Sequence, residues 1–551
     1  MWRQTTPSLL TATKSGCFRL TLRTEQRRTV ILPRWLPNLN LFQGAIKHQD
    51  RVAIIAESKK YTYASLLRHA AKGAKQLKGD HTESAVKTGE YPPRVAFLFS
   101  PGFEYVATQW SIWAAGAIAV PLASSHPPAE LEYIIGDAQA KKVLYQSKFA
   151  EKIQALQSKF PLVEWEEIPD AKPSEGQDSD SRPTNINEED NLSKDRGAML
   201  IYTSGTTGKP KGVLTTINNI EAQSTSLIEA WKWNSKDKIL HVLPLHHVHG
   251  VINALTCPLW VGATVEFFPF DARKVWDRWM AESRDLTVFM AVPTVYARLA
   301  AEYDKMPPAE QAYATKACAQ FRLMVSGSAP LPDTLFAKWE KISGHKLLER
   351  YGMTEIGMAL GNPYDGPRIP GTVGKPFPHV STQIISDAGA DVTAQPDATG
   401  ELYVSGPQVF KEYWNKPEAT AKELQDGWFK TGDIVKKSED GMYTILGRAS
   451  VDIVKSGGYK ISSLEVERTL LAHPSIADVA VVGLPDEEWG QILAAMIVLR
   501  DKTKEVTVED VKHFLQDKLA HYKIPRRVVV VGELPRNAMG KVDKKTVLKG
   551  F

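Results

Sequence analysis

The stretch "YTSGTTGKPKG", residues 202–212, is unusually rich in groups that bind anions. Within eleven residues it holds four serine or threonine hydroxyls, three glycines and two lysines. Glycines let backbone N–H groups approach an anion, hydroxyls donate hydrogen bonds, and lysines neutralise charge. A solvated turn can have a similar composition, but the density of anion-binding groups favours a loop that binds phosphate.

The stretch is not a Walker A loop, because the spacing fails at two positions. A Walker A loop needs glycine five residues before its Gly-Lys pair, where this chain has Thr203. It also needs serine or threonine after the lysine, and Pro210 follows Lys209. The sequence therefore predicts a phosphate-binding loop of another kind.

Length and composition limit the other possibilities. A chain of 551 residues exceeds what one hydrophobic core normally supports, so we expect at least two domains. The net charge is only +5, which does not indicate the basic surface of a nucleic-acid-binding protein. No apolar run approaches the length of a membrane span. The cysteines number three, which permits neither a disulfide framework nor a zinc spacing and suits a reducing compartment.

The N-terminal segment, residues 1–36, has the composition of a mitochondrial transit peptide. It contains seven basic residues and a single acid, Glu25, and is rich in serine and threonine. A disordered basic tail would share part of this composition. We expect targeting to the mitochondrial matrix.

Farther along, apolar runs alternate with helical patterns, as in "RVAFLFSPGFEYVATQWSIWAAGAIAVPL" (94–122), which predicts α/β folding with a parallel sheet. Residues 167–197 are polar and acidic and predict a surface insert. A β-rich subdomain follows, and "LERYGMTE" (348–355) predicts a strand leading through a loop into a helix. The expected organisation is a large mixed-sheet α/β domain over 40–447 and a small, mobile α+β domain over 448–551.

Further motifs follow the loop in a fixed order. They are "LPLHHVHG" (243–250), "SGSAPL" (326–331), "YGMTE" (351–355), "GELYVSGP" (400–407), "WFKTGD" (428–433), "GR" (447–448), "KSGGYKIS" (455–462) and "LPRNAMGK" (534–541). From about residue 50 to its end, the chain resembles the adenylate-forming superfamily. This superfamily comprises acyl-CoA synthetases, luciferases and the adenylation domains of peptide synthetases.

The resemblance implies a two-step reaction with ATP, Mg²⁺ and coenzyme A. A carboxylate first attacks the α-phosphate of ATP to give an acyl-adenylate and pyrophosphate, and the thiol then displaces AMP. Lys541 matches the lysine that bridges carboxylate and α-phosphate, and Glu355 matches the acid that holds Mg²⁺. Asp433 matches the acid that binds the ribose hydroxyls, and Arg448 lies at the arginine near ribose and phosphate.

The resemblance assigns the remaining positions in groups. The expected phosphate-loop residues are Thr203, Ser204, Gly205, Thr206, Thr207, Gly208 and Lys209. The expected residues around adenine and the acyl group are Gly327, Ser328, Ala329, Tyr351 and Thr354. The expected lining of the coenzyme A channel is Gly457, Gly458 and Lys460.

One segment departs from the family pattern. Between Arg448 and the Gly-Gly pair the chain is one residue longer than usual. The hinge on which the C-terminal domain would rotate is therefore Ser450, Val451 or Asp452, and the sequence does not decide among them.

Cationic residues occur where a fatty acyl pocket would have apolar ones. Arg350 adjoins the "YGMTE" motif, and Arg298 lies in "VPTVYARL". By the resemblance, His247 holds the position at which the superfamily places a histidine or aromatic residue beside the acyl group. Arg322 is a weaker fourth candidate. These stretches resemble those of malonyl-CoA synthetases, a branch of the superfamily. A malonate dianion would leave one carboxylate for adenylation and one for an arginine fork.

Several alternatives remain. Arg298 and Arg350 could instead bind structural carboxylates, and Arg350 could brace the adenine loop, so Arg298 is the preferred candidate. The chain could be a medium-chain fatty acyl-CoA synthetase, or an inactive binding protein of the same fold. The small-molecule substrates, malonate or methylmalonate with ATP and coenzyme A, are the only partners predicted, and the oligomeric state is open.

Overall fold

The computed structural model describes residues 39–77, 91–169, 194–203, 209–536 and 541–551. In chain order the strands are β1 (Val52–Ala56), β2 (Lys59–Thr62), β3 (Arg94–Leu98), β4 (Ile118–Pro121), β5 (Lys142–Gln146), β6 (Glu164–Ile168), β7 (Gly197–Thr203), β8 (Lys211–Thr216), β9 (Lys238–His241), β10 (Thr264–Phe267), β11 (Val288–Ala291), β12 (Leu323–Gly327), β13 (Leu348–Met353), β14 (Gly357–Gly361), β15 (Lys375–Pro376), β16 (Ser381–Ile385), β17 (Thr399–Ser405), β18 (Glu412–Tyr413), β19 (Leu424–Gln425), β20 (Trp428–Lys437), β21 (Tyr443–Arg448), β22 (Ile453–Ser456), β23 (Tyr459–Ser462), β24 (Ile476–Asp486), β25 (Gly490–Leu499) and β26 (Arg527–Val531).

The helices connect these strands. They are α1 (Asn40–Lys47), α2 (Tyr63–Leu77), α3 (Phe103–Ala114), α4 (Pro128–Asp137), α5 (Ala150–Gln157), α6 (Ile217–Ala230), α7 (Cys257–Trp260), α8 (Ala272–Met280), α9 (Pro293–Tyr303), α10 (Pro308–Cys318), α11 (Asp333–Ser343), α12 (Pro417–Glu423), α13 (Ser463–Leu471), α14 (Val508–Leu515) and α15 (Lys544–Leu548), with a π-helix at His249–Thr256 and short 3₁₀ turns at Ser147–Phe149 and His521–Lys523. No helix in these described ranges is long and apolar enough to cross a membrane.

Two large sheets form the N-terminal part. One has the strand order β15-β14-β13-β12-β11-β9-β10-β1-β2, and the other has β18-β8-β7-β4-β3-β5-β6. Their central strands are parallel, and β3 and β12 are buried along their whole length. Continuous burial suits a parallel strand that helices cover on both faces. The predicted α/β class with mixed sheets is confirmed.

The β-rich part is an antiparallel sheet of order β16-β17-β20-β19, with β21 paired to β20. After it come the hairpin β22-β23 and the sheet β24-β25-β26, packed with α13 and α14. Two apolar clusters here draw all their members from residue 454 onward. Leu32–Phe551 together form one compact unit, so the boundary near residue 447 and the mobility of the C-terminal domain stay predictions.

The predicted helix after "LERYGMTE" is wrong. Residues 354–356 form a turn, and the chain returns along β13 as the antiparallel strand β14. Gly357 has a φ of +61° at this return, a left-handed conformation that glycine adopts without strain. The turn fixes Glu355 at the end of a strand pair.

Candidate active site

The residues expected to bind ribose meet where β13, β20 and β21 come together. Asp433 lies directly opposite Arg448 in the β20-β21 pair, and its Oδ1 is 2.9 Å from the Arg448 Nε. The Tyr351 hydroxyl donates to the other oxygen of Asp433 at 2.5 Å. Burial raises the pKa of Asp433, while the adjacent Arg448 guanidinium opposes this rise. The carboxylate is thus held rigidly.

Glu355 belongs to a buried network beside this site. The Tyr413 hydroxyl lies 2.9 Å from one Glu355 oxygen and 2.7 Å from one Glu423 oxygen. The Lys211 ammonium, at the end of the phosphate loop, is 3.3 Å from Glu423 and lies over the Tyr413 ring. Burial raises the pKa of Glu355, and the hydrogen bond from Tyr413 opposes this rise. Tyr413 therefore orients the carboxyl group.

Lys541 reaches this cluster from the C-terminal part of the chain. Its side chain is exposed, but the atoms around its ammonium group displace enough water to lower its pKa, and Arg448 lowers it further. Asp433, Arg350 and Glu355 also act on Lys541 electrostatically, and Lys541 in turn acts on His247. The residues predicted for catalysis, for binding of ribose and for binding of the acid substrate are thus close enough to influence one another electrostatically.

Arg350 is a buried cation with an incomplete set of partners. It is 3% exposed, and its Nη2 donates to the Ser328 hydroxyl oxygen at 3.1 Å. Its buried Nε has no hydrogen-bond partner among the described residues, and no acid in those ranges forms an ion pair with it. Burial lowers the pKa of Arg350 to about 9. Burying a guanidinium without an acid partner is costly, which makes Arg350 a candidate for binding an anionic group of the substrate.

The neighbour in sequence, Glu349, does not neutralise Arg350. Successive side chains of a strand point to opposite faces, and Glu349 is buried on the other side of β13, where it accepts the Leu331 N–H at 3.1 Å. Burial raises the pKa of Glu349 to about 7. Gly327 on β12 allows this placement of Arg350, since a Cβ there would lie 2.6 Å from the Arg350 Nε.

Arg322, the weaker candidate, has a structural role. Its Nε and Nη2 bind the two oxygens of Asp237 at 2.7 and 2.6 Å, and its Nη1 donates to the Trp231 carbonyl at 2.8 Å. These bonds connect β12 to the loop before β9. Arg322 is therefore already paired within the protein, which makes it a poor candidate for binding a substrate carboxylate.

A group of histidines lies at the expected binding site of the acid substrate. The rings of His246 and His247 are 4.0 Å apart, and His126 lies 5.2 Å from His246. Burial, followed by Lys541, lowers the pKa of His247 to about 4. His249 is buried, with its Nδ1 3.4 Å from the Ser328 hydroxyl oxygen, and burial and then Arg350 hold its pKa well below 6.5. These rings stay neutral beside two cations.

Arg298 lies apart from these contacts. It is on the exposed face of α9, the helix that begins just after β11, and has no ion-pair partner within the described ranges. Arg298 is thus open to a ligand, but no contact joins it to Arg350 or His247 in the described part of the chain. Its role stays a prediction.

The phosphate loop is only partly described. Ser204, Gly205, Thr206, Thr207 and Gly208 lie outside the described residues. Thr203 ends β7, and the Lys209 ammonium lies 5.4 Å from the centre of the Tyr133 ring. Thr354 is in the turn between β13 and β14.

The expected coenzyme A residues form the turn between β22 and β23. Gly457 and Gly458 have φ angles of +54° and +83°, which favour glycine, and a Cβ on Gly457 would lie 2.7 Å from the Trp489 ring. Lys460 forms an ion pair with Asp387 of the β-rich part. The role of this turn in lining the coenzyme A channel stays a prediction.

Asp452 bonds to groups on both sides of the predicted hinge. Its Oδ2 accepts the Arg448 N–H at 3.0 Å, and its Oδ1 is 2.6 Å from the Lys544 ammonium. It thereby connects the end of β21 to the C-terminal helix α15. This favours Asp452 over Ser450 and Val451 as the hinge, which remains a prediction.

Sequence reasoning missed Tyr413, Glu423 and His249. Tyr413 reaches Glu355 across 58 positions, a separation that no local spacing reveals. His249 could have been noticed as the third histidine of "LPLHHVHG", two positions after His247 and directly before the mainly apolar run "GVINALT".

Comparison with known proteins identifies the family of the chain. The model of the AMP-binding enzyme family matches residues 41–414, and that of the AMP-binding enzyme C-terminal domain matches residues 465–541. The chain therefore belongs to the AMP-binding enzyme family.

Individual relatives and solved structures are similar over nearly the whole chain. The mitochondrial malonate–CoA ligase ACSF3 of Xenopus laevis is 45% identical, with 93% of this chain and 92% of that protein covered. The malonate–CoA ligase of Arabidopsis thaliana is 41% identical, with 93% and 88% covered. The crystal structure of ATP-bound MatB from Rhodopseudomonas palustris is 33% identical and has a TM-score of 0.79, with 93% and 98% covered.

Proposed function

We propose that this chain is an AMP-forming ligase that joins malonate to coenzyme A through malonyl-adenylate. The observation that carries the proposal is the buried guanidinium of Arg350, which has no acid partner in the described part of the chain and lies within electrostatic reach of Lys541. Relatives named malonate–CoA ligases support the choice of acid.

In the first step, one carboxylate oxygen of malonate forms a bond to the α-phosphorus of ATP, and pyrophosphate leaves. Two anions must approach each other, so positive charge has to lie where the negative charge develops. Lys541 supplies that charge, Arg448 adds to it, and Asp433 fixes the ribose. Arg350 binds the distal carboxylate of malonate. The His247 ring is neutral and therefore adds no charge to the site.

In the second step, the sulfur of coenzyme A attacks the acyl carbonyl, the bond to AMP breaks, and the thiol proton is lost. We propose that the turn at Gly457 and Gly458 lines the thiol's approach after the C-terminal domain rotates about Asp452. Lys541 would leave the site in that rotation, which separates its role from the thiol step.

Glu355 suits a magnesium ion that ATP brings with it. The described residues hold no group of three acids, histidines or cysteines that could hold a metal, so a caged site is absent from those ranges. Mg²⁺ commonly binds through one or two carboxylates and substrate phosphates, which fits Glu355 beside the phosphate loop. Bound there, Mg²⁺ would neutralise the charge of the β- and γ-phosphates.

Pyrophosphate release from ATP without coenzyme A tests the proposal directly. Malonate, methylmalonate, acetate and octanoate are each supplied alone. Malonate should give the highest kcat/KM, with acetate lower by roughly a hundredfold or more because it leaves Arg350 unpaired. Fastest release with octanoate would indicate a medium-chain enzyme, and no release with any acid would indicate a binding protein.

We expect Tyr413→Phe to weaken use of the metal more than use of malonate. Loss of the hydroxyl removes the hydrogen bond that orients Glu355, which is worth about 1 kcal/mol, so the Mg²⁺ concentration for half-maximal activity should rise roughly fivefold. Mn²⁺ binding in the presence of ATP, followed by electron paramagnetic resonance, should weaken equally. Tyr403→Phe, whose hydroxyl bonds neither carboxylate, is the control. Unchanged Mn²⁺ binding would contradict the role of Tyr413.

We propose that the chain acts in the mitochondrial matrix, on the composition of residues 1–36 and on relatives named mitochondrial. Deletion of about the first 35 residues should leave an active enzyme that no longer enters mitochondria. Fluorescent fusions of the full-length and shortened chains, with subcellular fractionation, make the comparison. Mitochondrial accumulation of the shortened chain would show that residues 1–36 do not contain the targeting signal.

A further inference from the structure

Arg350 and His249 both contact the hydroxyl group of Ser328. The Nη2 of Arg350 donates to the Ser328 hydroxyl oxygen at 3.1 Å, and the Nδ1 of His249 lies 3.4 Å from the same oxygen. Arg350 and His249 are buried, whereas Ser328 is exposed at the end of β12. A single hydroxyl therefore connects two buried side chains.

The backbone of Ser328 is under strain that this contact explains. Its φ is +70°, a left-handed conformation that a residue with a Cβ adopts at a cost. Such residues concentrate at functional sites, where the surroundings hold them in place. Here the conformation brings the hydroxyl between Arg350 and His249.

His249 has the properties of an orienting group and not of a general base. Its ring is 4% exposed, and its buried Nε2 has no partner among the described residues. A second proton on the ring would place a cation beside Arg350, so the ring stays neutral. One tautomer accepts the serine O–H at Nδ1. The other donates to the serine oxygen and frees the serine O–H for a ligand.

We propose that Ser328 and His249 form a brace that fixes the Arg350 guanidinium for the distal carboxylate of the acid substrate. His249 acts through Ser328 and is a positioning residue that determines specificity. The inference rests on the proposed recognition of a dicarboxylate by Arg350. It adds that the orientation of the guanidinium, and not its charge alone, separates malonate from monocarboxylates.

The test uses the full chain and compares the kcat/KM ratio of malonate to acetate in several variants. His249→Phe keeps a ring without nitrogen, and Ser328→Ala removes the hydroxyl. Each should raise the malonate KM roughly tenfold, as expected for a lost hydrogen bond to a charged group, with little change in the acetate KM. The malonate KM of the double variant should be no higher than that of the more strongly impaired single variant, because the two residues act in series.

Rescue and control variants separate positioning from a general structural effect. His249→Asn, which can place an oxygen near the former Nδ1, should restore most of the malonate selectivity. His241→Phe alters another buried histidine, which contacts the Gly250 carbonyl and not Ser328, and should leave the ratio unchanged. The thermal shift induced by ATP with Mg²⁺ should persist in His249→Phe if the protein is folded.

Two contrary results have different meanings. If Arg350→Gln loses the malonate preference while His249→Phe and Ser328→Ala keep it, the brace is wrong and the proposed function stands. If Arg350→Gln itself keeps the preference, recognition of malonate by Arg350 is wrong, and the brace is wrong with it. Fully additive effects of the two single changes would also overturn a brace acting in series.

Discussion

Lys541→Ala should lower the rate of adenylate formation by at least two to three orders of magnitude. Removing one group that stabilises developing charge costs about that much in other enzymes. Lys541 interacts electrostatically with Arg448, Asp433, Arg350 and Glu355, and we propose that the α-phosphate and the reacting carboxylate meet near its ammonium group. Release of malonyl-CoA from supplied malonyl-adenylate should remain largely intact, because the lysine is needed only in the first step.

The two half-reactions are measured separately. Pyrophosphate release reports the first, and formation of malonyl-CoA from synthetic malonyl-adenylate reports the second. Lys549→Ala, an exposed lysine near the end of the chain, is the control for loss of a positive charge. Equal loss in both half-reactions would contradict a role confined to the first step.

Arg350→Ala should reduce kcat/KM for malonate by roughly a hundredfold or more. The substrate's distal carboxylate would enter a site that no longer supplies a guanidinium, and its desolvation would be uncompensated. The KM for ATP should change little, and the preference over acetate should shrink. Arg298→Ala should cause a loss of the same order, because Arg298 is predicted to bind the same carboxylate.

Thermal stability gives a second test of the claim that Arg350 binds the distal carboxylate of malonate. A buried guanidinium without an acid partner costs the folded state, so Arg350→Met should not lower the midpoint of thermal unfolding, although it removes malonate use. Malonate should raise the midpoint of the original enzyme and not that of the variant. A raised ATP KM with unchanged malonate selectivity would instead assign Arg350 to the nucleotide.

The sequence predicted the parts of the site that lie in short motifs. Asp433 and Arg448 were expected at the ribose, and they face each other across one strand pair. The α/β class followed from apolar runs alternating with helical patterns. In both cases the information is local, since a strand or a motif carries it within a few residues.

Contacts between residues that are far apart in the sequence could not be predicted from it. Arg322 and Arg350 are alike in sequence, but Arg322 pairs with Asp237, 85 positions away, and Arg350 has no such partner among the described residues. The helix expected after "YGMTE" is a strand because Gly357 permits the chain to reverse and pair with β13. The alternation of side chains along β13, which separates Glu349 from Arg350, is local and can be read from the sequence.

The central claim, that Arg350 makes this enzyme a malonate ligase, is tested most directly by competition in one vessel. Equal concentrations of malonate, methylmalonate, acetate and octanoate compete for limiting enzyme with ATP, Mg²⁺ and coenzyme A, and mass spectrometry quantifies the thioesters formed. The original enzyme should yield predominantly the dicarboxylic thioesters, led by malonyl-CoA, and Arg350→Ala should lose that excess. A majority of acetyl-CoA or octanoyl-CoA from the original enzyme, or an unchanged product ratio in the variant, would contradict the claim.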